Sequence, residues 1–81
     1  MVIDSSYNHL VSVKFDDNGT KVLHCEVLTW THTLKERLQK ILRSLGRCYT
    51  TVDNFHSIKF NLLLGAKVIG TQEGYTILRY N

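Results

Sequence analysis

Leu34, Leu38, Ile41, Leu42 and Leu45 recur at spacings of four, three, one and three residues, forming a single apolar stripe along a helix of period 3.6. No other feature constrains the fold as much, because a helix that is apolar on one side must bury that side against another layer. Both ends of the helix are marked. Thr33 and Glu36 form a T-x-x-E capping box, in which each side chain satisfies a backbone N–H near the other. Gly46 stands where a left-handed residue closes a helix, with Arg43 and Arg47 near the negative end of its dipole.

The flanking segments are β-favouring and supply the layer. In His9 to Phe15, Val11, Val13 and Phe15 share one face; in Thr20 to Leu28, Leu23, Cys25 and Val27 do the same. Asp16-Asp17-Asn18-Gly19 between them predicts a hairpin, since Asn and Gly accept the positive φ of such turns. After the helix, Arg47 to Val52 reads as a strand, and Asp53-Asn54 caps a shorter helix from about Phe55 to Leu64, closed by Gly65. Ala66 to Ile69 is a short strand, Thr71 to Gly74 a turn, and Tyr75 to Tyr80 a last strand. The expected class is α+β: a single mixed β-sheet in the order β-β-α-β-α-β-β with two helices packed on it. Residues 1–81 read as one domain, with 1–8 as an N-terminal extension. The last strand is expected at or near a sheet edge, protected by Arg79 or paired with a second copy in a homodimer.

At 81 residues the chain is near the lower end of what one core stabilises. The longest apolar run, Leu62 to Leu64, is too short to span a bilayer, and Met1 to Ser6 lacks the regions of a signal peptide. The expectation is a protein without membrane association, cytoplasmic, with Cys25 and Cys48 as free thiols. His9, His24, His32 and His56 have no ligand spacing with either cysteine, so no metal site is expected.

From Thr50 to Gly70 the sequence resembles the second half of an N-acyltransferase of the GNAT superfamily. Val52, Asn54, Ser57, Phe60, Leu64 and Gly65 sit where the family places a strand-ending valine, an asparagine, a small residue, an aromatic and a leucine-glycine. With the preceding hairpin and the closing Thr71 to Tyr80, the resemblance covers about His9 to Asn81 and implies the C-terminal half of that fold. The departures are specific. Where the family has a glycine loop that lets backbone N–H groups reach the acetyl-CoA pyrophosphate, this chain has the shorter, glycine-free Leu28-Thr29-Trp30-Thr31-His32-Thr33. Trp30 would crowd a phosphate there, and Glu36 adds a carboxylate where anion binding disfavours one. Asn61 occupies the place of the family's acidic tyrosine, and an amide cannot serve as a general acid.

The expected function is therefore that of a non-catalytic GNAT-like module without a cofactor, an accessory, inhibitor or virion protein of bacteriophage type that binds another protein. In that setting the localisation is the host cytoplasm or the virion. Trp30 is read chiefly as a plug in the cofactor cleft and otherwise as an anchor for the partner. Lys35, Arg37, Lys40, Arg43 and Arg47 on the central helix are the other partner-binding candidates. Two alternatives follow from the same residues. One is a minimal acetyl-CoA-dependent N-acetyltransferase in which Thr31, His32 and Thr33 replace the glycine loop. The other is a nucleic-acid-binding module that uses the basic helix, with Tyr49, Tyr75 and Tyr80 as stacking surfaces.

Overall fold

The apolar stripe finds its layer in a six-stranded sheet. The computed structural model describes Met1 to Asn81. Its strands are β1 (Val2–Ser5), β2 (His9–Phe15), β3 (Lys21–Val27), β4 (Cys48–Val52), β5 (Lys67–Gln72) and β6 (Tyr75–Tyr80). The helices are α1 (His32–Leu45), between β3 and β4, and α2 (Phe55–Leu63), between β4 and β5. The strands lie in the order β1-β2-β3-β4-β6-β5, with β3 and β4 parallel and all other neighbours antiparallel. From β2 onward this is the expected β-β-α-β-α-β-β arrangement of a mixed sheet. No helix is long and apolar enough to cross a membrane.

The first eight residues are more than an extension: Val2–Ser5 pairs with β2 as an outer strand. β6 lies one strand in from the edge, between β4 and β5, so the edges are β1 and β5 and Arg79 guards neither. Each edge strand carries a register shift, between Val2 and Asp4 and between Val68 and Gly70. Such bulges bend an edge away from flat pairing with another sheet.

Local chemistry accounts for most boundaries. Asp16 Oδ1 accepts hydrogen bonds from the N–H groups of Asn18 and Thr20, and Gly19 takes φ +80°, which closes the β2–β3 hairpin. The β5–β6 turn narrows to Glu73-Gly74, both at positive φ, so β5 runs on to Gln72. Asn54 caps α2 by accepting from Ser57 N at 2.8 Å. The cap of α1 corrects the sequence reading. Thr31, not Thr33, is the N-cap, and its Oγ1 accepts from Leu34 N at 3.1 Å. Glu36 then falls in the second turn and pairs with His32 at 3.1 Å, so there is no capping box. At the other end Gly46 takes φ +72°. Asn81 Nδ2 donates to the carbonyls of Leu42 and Gly46, and Lys21 Nζ donates to that of Leu45, satisfying carbonyls the helix leaves open.

Burial divides the sheet into two unlike faces. Val11, Val13, Leu23, Cys48, Leu78 and Tyr80 are buried together with Leu34, Leu38 and Leu42 of α1 and with Leu64 and Ala66 at the end of α2. The alternating residues, among them Lys14, Val22, His24, Tyr49, Thr51, Ile77 and Arg79, are all partly or fully exposed. The helices therefore cover one face, and no layer covers the other. Phe15 belongs by alternation to the covered face but is 60% exposed, because it lies at the end of β2, clear of the core.

Candidate functional site

β3 and β4 form the only parallel pair, and they are registered at one position alone, Val22 against Tyr49. Beyond it the strands part toward their C-terminal ends. Thr50 Oγ1 still reaches Leu23 O at 3.1 Å, and past that bond a cleft of about 190 Å³ opens. Its walls include His24 and Cys25 of β3, Thr51 and Val52 of β4, and Ser57, Phe60 and Asn61 of α2. The resemblance implies a cofactor in this region, so its polar groups decide what chemistry the cleft can do.

Most of them are committed within the fold. Asn61 is buried; its Nδ2 donates to Ser57 O at 2.7 Å and its Oδ1 accepts from the Tyr80 hydroxyl. Burial raises the pKa of that hydroxyl above its ordinary value, so it remains a proton-bearing donor to Asn61. Burial, with the Glu26 carboxylate adding to it, pushes the Cys25 thiol up to about 11, which disfavours the thiolate a nucleophile requires. His24 lies 3.1 Å from Glu26, with both side chains largely in solvent. No group of three or more His, Cys, Asp or Glu is placed to hold a metal.

The loop entering α1 is equally occupied. Asn8 grips Thr29 from both sides: Nδ2 donates to its carbonyl and Oδ1 accepts from its N–H, each at 2.7 Å. Thr31 spends its hydroxyl on the cap, and the His32 ring lies against Glu36. Of the three residues proposed to replace the glycine loop, only Thr33 has no such side-chain contact. Trp30 leaves this pinned loop and meets Phe60 edge to face, with centroids 5.1 Å apart and planes at 73°. It thereby joins the loop after β3 to the helix after β4. It stays 39% exposed and outside the buried core, so it is a lid over Phe60 more than a plug.

The cations of α1 do not form one patch. Arg37 is tied to β1, donating from Nε and Nη2 to the two carboxylate oxygens of Asp4 at 2.8 and 2.7 Å. Arg47 Nε lies 3.5 Å from Asn81 O, past the end of the helix. Lys35, Lys40 and Arg43 make no ion pair and are spread around the outer surface of the helix.

Two groupings appear only in the structure. Asp4 Oδ2 also lies 2.6 Å from Nε2 of the buried His9, whose Nδ1 is 2.9 Å from Ser6 Oγ. This brings serine, histidine and aspartate into line. Arg37 holds the carboxylate far below the usual range, however, and Ser6 Oγ accepts from Asn8 N within its own turn. The order is that of a hydrogen-bonded latch between β1, β2 and α1, with a carboxylate too well neutralised to drive a general base. The second grouping is on α2, which buries Asn61 while leaving Phe55, Leu62 and Leu63 exposed at 73%, 48% and 51%. Phe55 and Leu62 are one i, i+7 step apart, on the same side of the helix. Sequence periodicity does not single out this side, because Asn61 faces inward where an apolar residue is the usual occupant.

Comparison with protein-family models, with curated proteins and with solved structures finds no match to this chain.

Proposed function

We propose that this chain is a non-catalytic binding module that docks a protein partner on the outer side of α2, beside Trp30. The observation that carries the reading is the apolar outer side of α2. A helix packed on a core normally turns its leucines inward, and an exposed apolar side rimmed by polar residues marks a protein contact. Here Phe55, Leu62 and Leu63 face solvent, and the half-exposed Trp30 stands over Phe60 of the same helix. Trp30 is the kind of large, partly fixed aromatic that anchors interfaces. The competing acetyl-transfer reading is weakened by the same contacts that build the cleft, since Asn61, Thr29 and Thr31 are all spent internally.

Affinity capture from nuclease-treated lysate with the wild-type chain and a Phe55→Glu/Leu62→Glu variant tests this. A partner retained by the wild type and by a Lys40→Gln/Arg43→Gln variant, but lost by the α2 variant, is the expected result. Saturable acetyl-CoA binding in the micromolar range by calorimetry, or capture indifferent to the α2 substitutions, would overturn it.

A further inference from the structure

The uncovered sheet face carries a second surface, independent of α2 and on the opposite side of the sheet. One cross-strand row runs through five strands in register: Lys14 opposite Val22, Val22 opposite Tyr49, Tyr49 opposite Arg79, and Arg79 opposite Lys67. Their strand neighbours Val13, Leu23, Cys48, Leu78, Tyr80 and Ala66 are buried on the helix side, so the row itself faces outward. Lys14, Arg79 and Lys67 make no ion pair with any carboxylate of the chain. Four strand spacings make the row about 19 Å long, with the Tyr49 ring near its middle. Glu26, on the same face of β3, lies four residues along from Val22, about 13 Å away, and stands 3.1 Å from His24.

We infer that this row is a binding track for single-stranded nucleic acid, with Lys14, Arg79 and Lys67 on the phosphates and a base stacked on Tyr49. Cations spaced along a path match a polyanion, and an aromatic ring set among them supplies the platform that bases, and not acidic side chains, use. The face is a broad sheet, wider than the roughly 12 Å major groove, so it suits splayed bases better than a duplex. Beside the row, where β3 and β4 begin to part, lies a groove of about 440 Å³ walled by Lys14, Ser12, His24 and Thr51. Its hydroxyls and imidazole offer donors and acceptors to a base edge next to the stacked one.

Fluorescence anisotropy with labelled twelve-residue oligo(dT) and oligo(rU), between 50 and 300 mM salt, tests the inference. Three phosphate contacts predict a log–log salt slope of about −2, and Lys14→Gln, Lys67→Gln and Arg79→Gln should each flatten it by about 0.7. Tyr49→Leu should weaken binding about tenfold or more at unchanged slope, and Tyr49→Phe should retain it. Circular dichroism confirms folding of each variant. Lys40→Gln/Arg43→Gln on α1 should leave the slope as it is, which separates this track from the basic helix. Absence of binding at 50 mM salt would overturn the inference. So would a slope indifferent to the sheet-face variants, or equal affinity for a duplex or for polyglutamate.

Discussion

Asp4 sits between Arg37 of α1 and His9 of β2, and that position shapes how the fold responds to acid. The Arg37 guanidinium, opposed by burial and helped by His9, holds its carboxyl far below the ordinary value near 3.9. A carboxyl whose folded pKa is depressed contributes stability above its unfolded pKa and loses it as the pH falls below. Thermal unfolding followed by circular dichroism should therefore show Asp4→Asn several degrees less stable than wild type at pH 7. The gap should narrow as the pH drops below about 4; an equal gap at pH 7 and pH 2.5 would contradict the assignment. None of this was legible in the sequence. Asp4 stands in a four-residue strand without a clear apolar alternation, and its strongest partner is 33 positions away. Arg37 accordingly read as a free helix-face cation. Trp30 was legible as a residue to single out, but its lid geometry depends on Phe60, which a separate helix supplies.

Elements whose signals are local were read most closely. The β2–β3 turn follows from Asp16 and Gly19, the start of α2 from Asn54, and the covered side of α1 from its stripe. The start of α1 was displaced by two residues for a physical reason. Thr29, Thr31 and Thr33 all offer a capping hydroxyl, and the choice falls to Asn8, which holds Thr29 in the loop through both backbone groups. The chain turns into the helix after that clamp, at Thr31. Thr31→Ala should thus cost about 1 kcal/mol in denaturant unfolding, whereas Thr33→Ala should cost a few tenths at most. The reverse order would restore the capping box. α2 spans the expected residues, and the structure adds its facing, with Asn61 inward beside Phe60 and with Leu62 and Leu63 outward.

The molecule as a whole has two layers, helices on one side of a sheet and solvent on the other, and both candidate surfaces follow from that asymmetry. The class of fold was legible because helix and strand periods alternate cleanly along the chain. The bare face was not, because strand alternation tells which residues share a side but not whether anything covers it. The meeting of β3 and β4 at Val22 and Tyr49 alone has a further consequence for cooperativity. The hairpin sheet of β1–β3 and the β4–β6 sheet with α2 are two leaves over a shared core, joined within and beside the sheet by that pair, the Thr50–Leu23 bond and the Trp30–Phe60 contact. α1 is a spine fastened to one leaf through Arg37 and Lys21 and to the other through Asn81. Native-state hydrogen exchange should resolve two opening units with different free energies, divided between Val27 and Cys48, where a single global opening would show the seam to be silent. A ligand bridging Lys14 and Arg79 would cross that seam, so occupancy of the sheet face would merge the two units into one and register as slower exchange in both leaves at once.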